Sequence, residues 1–69
     1  MMDYSKIGMN AKIARVKAGV TIEELSKIAG MSVTTISHLE RGIGKTRIIS
    51  INKYAKALGI EVKKIIYGD

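Results

Sequence analysis

Apolar residues recur along this chain at helical rather than alternating spacing, and most of the runs are separated by glycine. The pattern predicts five short helices. The first runs from about Lys6 to Ala18, with Ile7, Ala11, Ala14 and Ala18 on one stripe. The second opens with Thr21-Ile22-Glu23-Glu24, the order of a capping box, and runs to Ala29 with Leu25 and Ala29 facing inward. Gly30 is placed to leave that helix in a left-handed conformation, and Ser32 then caps a third helix over residues 33–41. A fourth spans about Arg47 to Leu58, burying Ile48, Ile51, Ala55 and Leu58 with Tyr54 alongside. The fifth, about 61–67, offers Val62, Ile65 and Ile66 to the core.

Helices two and three are separated only by a tight glycine turn, which makes a helix-turn-helix whose second helix is presented for insertion into a groove. On that helix Ile36 and Leu39 point at the core, leaving Val33, Thr34, Ser37, His38 and Arg41 on the other side. Side chains of short reach suit a surface that lies close to base edges. Without proline, low-complexity tract, charge block or internal repeat, residues 1–69 read as one compact all-α domain.

Composition sharpens this picture. A chain of 69 residues buries only about 60% of the surface its unfolded form exposes, so stability must come from a small aliphatic core. Cysteine is absent, which excludes disulfides and a cysteine zinc site and suits a reducing cytoplasm. The N-terminal MMDYSKIG fits neither a secretory signal nor a transit peptide, and no apolar run approaches the ~18 residues of a membrane helix. A soluble protein is expected. Twelve Lys plus Arg against six acids give a net charge of +6, a field that draws phosphate polymers or anionic surfaces.

The residues Gly19-Val20-Thr21, Glu23-Glu24-Leu25, Ala29-Gly30-Met31-Ser32, Thr35-Ile36-Ser37, Leu39-Glu40-Arg41-Gly42 and Ala55-Lys56-Ala57-Leu58-Gly59 together resemble the phage repressor and Cro-like (XRE-type) helix-turn-helix family, the lambda-repressor-like DNA-binding domains. The likeness extends from Ile7 to Ile66. It implies a compact bundle of five helices in which the third lies in the major groove. It also implies base contacts from Val33, Thr34, Ser37 and His38, a phosphate contact from Thr35, and a structural ion pair between Arg15 and Glu40. Three positions depart from the family pattern: Ile22 replaces a phosphate-bridging glutamine, Val33 replaces a bidentate base reader, and Thr46 replaces the proline before helix four.

Those departures shift base reading toward methyl contacts. Val33 and the Thr34 methyl can pack on thymine C5-methyl groups, while the Thr34 hydroxyl and His38 can bond base edges. Phosphates are expected at the start of helix two, with Thr21, and at the basic loop Arg41, Lys45, Thr46 and Arg47. His38 lacks a converging co-ligand, so neither metal nor catalysis is expected of it. No cofactor is called for, and nothing in the motifs suggests an enzyme.

One feature falls outside the family pattern. Met9, Ile13 and Val16 form a second apolar stripe on helix one, and Ile43 and Ile49 also fall outside the predicted core. Either Tyr4 or Tyr67 covers the stripe, or Met9, Ile13, Val16 and Ile49 touch another chain. The expected function is a sequence-specific regulator of transcription, a repressor, that binds double-stranded DNA as a homodimer over an inverted repeat with half-sites ~34 Å apart. The alternative is an antitoxin or adaptor on the same fold, engaging a protein partner with DNA binding secondary.

Overall fold

The computed structural model describes residues 3–44 and 46–68. Among them the regular structure is five helices: α1 (Tyr4–Lys17), α2 (Ile22–Ala29), α3 (Val33–Arg41), α4 (Ile48–Leu58) and α5 (Val62–Tyr67). The fold is all-α, as the periodicity predicts. Helix α1 starts earlier than its apolar stripe suggests because Asp3 caps it, its carboxylate accepting from the backbone N–H of Ser5 and Lys6 at 3.1 and 3.2 Å. Its far end is Lys17. Ala18 is therefore an exposed C-cap rather than a core residue.

The capping box of α2 is complete: the Thr21 hydroxyl accepts from the Glu24 N–H at 3.0 Å and Glu24 accepts from the Thr21 N–H at 2.9 Å. That backbone hydrogen bond holds the Glu24 carboxyl below its usual pKa, with the Thr21 hydroxyl assisting. Gly30 closes the helix at φ 67°, a left-handed conformation that favours glycine.

The core gathers Ile7 and Ala11 from α1, Leu25 from α2, Ile36 and Leu39 from α3, Ile51, Tyr54 and Ala55 from α4, and Ile65 from α5. Helix α1 packs against α3, α4 and α5, while α2 packs against α3 and α4. Tyr54, expected alongside this core, is instead fully enclosed by it and is its largest fully buried side chain. Ile48 reverses the expectation. It shares the angular stripe of Ile51 and Ala55, yet it occupies the first turn of α4, beyond the enclosed layer, and is half exposed. Ala14, Ala29, Leu58, Val62 and Ile66 are only half-buried.

Gly8 has a role that apolar spacing does not announce. It sits inside α1, where a Cβ would lie 2.4 Å from the Leu39 carbonyl oxygen and 2.5 Å from that of Glu40. Only a residue without a side chain lets the end of α3 approach α1 this closely.

Candidate nucleic-acid interface

The turn between α2 and α3 is fixed by hydrogen bonds as well as by glycine. Gly30 donates its N–H to the Ser26 carbonyl at 3.0 Å, and the Ser26 hydroxyl returns a bond to the Met31 carbonyl at 2.5 Å. Met31 is buried beneath the turn. Ser32 then caps α3, accepting from the Thr35 N–H at 3.0 Å and donating its hydroxyl to Thr35 Oγ1 at 2.8 Å. The two helices are thereby held as one piece, and the direction of α3 is set by α2.

Along α3, Ile36, Leu39 and Glu40 turn inward at spacings of three and four residues. By the same periodicity Thr34, His38 and Arg41 share the opposite side, and all three are exposed. Val33 is exposed at the start of the helix, while Ser37 is half-buried beside the others. Of the residues expected to read bases, Thr34 and His38 thus share one helix face with Ser37 set lower beside them, while Val33 owes its exposure to its place in the first turn.

The inward end of α3 carries a buried polar network. Arg15 Nε donates to Glu40 Oε2 at 2.7 Å and Arg15 Nη2 to Glu40 Oε1 at 3.0 Å, a bidentate pair. Arg15 Nη1 donates to the Val20 carbonyl at 2.9 Å. The Tyr54 hydroxyl lies 2.5 Å from Glu40 Oε2 and 3.0 Å from the Ala11 carbonyl, so its one proton has two acceptors within reach. Among the described residues no buried side-chain polar atom lacks a hydrogen bond. Bonding to Glu40 raises the Arg15 pKa, and burial, then the bond to Glu40, raises that of Tyr54. Arg15 of α1 and Tyr54 of α4 thus converge on the one carboxylate of α3, and the α1–α2 turn steadies Arg15 through the Val20 carbonyl. Tyr54 was not singled out by its chemistry in the sequence; its only signal was an aromatic near the α4 core stripe.

Beside the outer face, a cleft of about 420 Å³ opens between α3 and the start of α4, lined by Thr35, His38, Thr46, Arg47 and Ser50 among others. No side chain caps the first turn of α4, whose N-cap residue is Arg47. Helix dipole, hydroxyls and a guanidinium therefore meet at one concave place suited to an anionic oxygen. Ser50 is the member sequence reading missed, and its place three residues after Arg47 is the signal that could have found it. Arg41 is exposed at the end of α3 but does not line the cleft, and Thr21 is exposed at the other helix start, α2. Lys45, also expected at phosphate, lies outside the described residues.

Among the described residues, no three potential metal ligands cluster. No described helix is long and apolar enough to cross a membrane. Met9, Ile13, Val16 and Ile49 are exposed by 62%, 47%, 59% and 60%. Neither tyrosine hides the α1 stripe: Tyr4 packs on the core and Tyr67 is 83% exposed.

Solved structures share this arrangement of helices. The restriction-modification controller protein C.AhdI from Aeromonas hydrophila is 28% identical, covers 91% of this chain and 96% of its own, and superposes with a TM-score of 0.86. The clp gene regulator ClgR from C. glutamicum is 26% identical over 94% of this chain and 84% of its own, with a TM-score of 0.87. A hypothetical transcription factor, NHTF, from Neisseria is 29% identical over 93% of this chain and 75% of its own, with a TM-score of 0.84. No curated protein sequence matches the chain. The family model described as helix-turn-helix matches residues 12–65, a span that includes the stitched turn, the outer face of α3 and the Arg15–Glu40 pair, and the chain belongs to that helix-turn-helix family.

Proposed function

We propose that this protein is a sequence-specific DNA-binding transcription regulator, with residues 1–69 serving as one DNA-binding domain. The carrying observation is the exposed ridge of Thr34, His38 and Arg41 on a helix whose opposite side is locked into the core. A rigid helix with a short-reaching polar face can enter a major groove and hold each side chain at a fixed base step. Val33 and Thr34 then meet thymine methyl groups, Ser37 and His38 meet base edges, and Thr21, Thr35, Arg41, Lys45, Thr46 and Arg47 contact phosphates.

A homodimer acting as repressor fits this reading. Ile43, Ile48 and Ile49 are exposed around the α3–α4 loop and first turn of α4, at 44%, 50% and 60%. Ile43 also lines the cleft beside α3. Pairing through that patch sets two copies side by side on one face of the duplex. With extents of 30 × 23 × 17 Å for each copy, a separation of ~34 Å between recognition helices is within reach. The operator is then an inverted repeat, and DNA as partner places the protein inside the cell.

Selection of bound sites from a random duplex pool, at low and at high salt, tests the reading. An inverted repeat with thymines opposite the start of α3 is expected at both. Recovery of unselected sequence at both salts would remove the sequence-specific claim.

A further inference from the structure

The outer face of α1 takes no part in the core or in the proposed DNA surface. Met9, Ile13 and Val16 follow one another at i, i+4 and i+7 and are about half exposed or more. Ile13 also lines a cavity of about 510 Å³ between α1 and α5, with Ala14, Ala18 and Ile60 as its apolar walls. Ile13 thus joins the apolar ridge to a groove with apolar walls, whose lining also includes Asn10, Lys17 and Lys64. Cations border both: Lys12 lies to one side of the stripe by helical angle, Lys6 to the other, and Lys64 lines the groove. The fourteen residues of α1 include no acid.

We infer that this ridge and groove form the docking site for an amphipathic helix of a partner protein whose apolar edge is bordered by carboxylates. Shape and charge each narrow the occupant. A concave groove beside a ridge accepts the interlocking side chains of a helix, anchored at helical spacing. Carboxylates on both borders complement the lysines, and such complementarity selects the partner more than it adds raw affinity. A second copy of this chain set ridge to ridge would bring lysine borders against each other. A flat anionic bilayer would leave the groove unfilled, and a DNA backbone would bury the stripe against charge.

Geometry keeps this site apart from the recognition helix. Gly8 marks where α1 meets α3, and Met9 and Ile13 lie more than a quarter turn around α1 from it. The same molecule can therefore hold DNA and the partner together, and the inference stands whether or not the DNA reading does.

The test is an NMR titration of the full chain with a synthetic helical peptide whose leucine edge is bordered by glutamates. Amide shifts are expected around Met9, Ile13 and Lys64, with the α3 amides unmoved. Ile13→Glu, at a half-exposed site, should weaken binding by roughly tenfold or more, while retaining the folded spectrum and DNA affinity of the parent. Met9→Ser serves as the second variant if Ile13→Glu does not fold. A peptide bordered by lysines should not bind. Four results would each overturn the inference: silence at these amides, equal binding of the two peptides, the same shifts on concentrating the protein alone, or the same shifts from phosphatidylserine vesicles but not from the peptide.

Discussion

Helix α3 has two sides built on opposite terms. On the inward side Glu40 is 8% exposed, and both its oxygens are bound by Arg15, with Tyr54 on one of them. On the outward side Thr34, His38 and Arg41 are exposed, and the inward network has no hold on them. The first side fixes where the helix is, because each polar atom must keep its partner or lose solvation without return. The second leaves residue identity free of the fold, which is what a reading surface requires. Substitutions on the two sides should therefore separate stability from recognition.

The largest effect is expected at the carboxylate. Glu40→Ala leaves the Arg15 guanidinium buried without its counter-charge and should cost about 3–5 kcal/mol in urea or thermal unfolding. At ~0.05–0.15 kcal/mol per residue, that approaches the whole stability of so short a chain. Replacing the network together, as Arg15→Met/Glu40→Leu/Tyr54→Phe, should recover most of the loss, since apolar groups of similar volume need no partner. A triple variant no more stable than Glu40→Ala would show that the carboxylate matters for more than neutralising Arg15.

Tyr54→Phe comes next, at about 1.5–3 kcal/mol for a hydrogen bond to a charged acceptor. It also carries a pH signature. Burial and the bond to Glu40 raise the folded phenol above its ordinary 10.0, so the unfolded chain ionises first as pH rises. The stabilisation is full below about pH 10 and is lost progressively above it. Unfolding measured across that range should show an alkaline decline that is shallower in the phenylalanine variant; identical slopes would mean that Tyr54 does not couple to the fold in this way. Gly8→Ala should cost about 1–3 kcal/mol, by pushing a methyl into the carbonyls of Leu39 and Glu40.

How far these features could be read from the sequence follows the same division. Spacing located the helices because a core stripe recurs at three and four residues, and the capping signals at Thr21, Gly30 and Ser32 are local chemistry that needs no tertiary knowledge. Ile48 was misplaced because periodicity gives an angle around a helix but not a depth along it. Gly8 stands unannounced inside the first helical stretch, because a close crossing depends on a partner more than thirty positions away. The same holds for Tyr54, whose hydroxyl meets α1 and α3 only after folding. On the candidate site, residue type and helical angle foretold the exposed side of α3, whereas the cleft with Ser50 required two elements to be set side by side.

The smallest effects on stability, and the sharpest test of the comparison, lie on the outward side. Thr34→Ala and His38→Ala remove exposed groups from a helix fixed elsewhere, so unfolding should change by no more than about 0.5 kcal/mol. Their effect should appear in which DNA sequence is bound: losing the Thr34 methyl and hydroxyl weakens the preference for thymine at one step, by less than the ~1–3 kcal/mol of a bidentate pair. Arg47→Ala, in the cleft beside them, should act differently, weakening all duplexes alike and reducing the slope of log affinity against log salt by about 0.9 if it neutralises one phosphate. Site selection and salt titration on the three variants distinguish these outcomes. Should Arg47→Ala change the selected sequence while Thr34→Ala only lowers overall affinity, the outer ridge would be gripping the backbone and the cleft would be reading bases, with α3 seated in the groove the other way round.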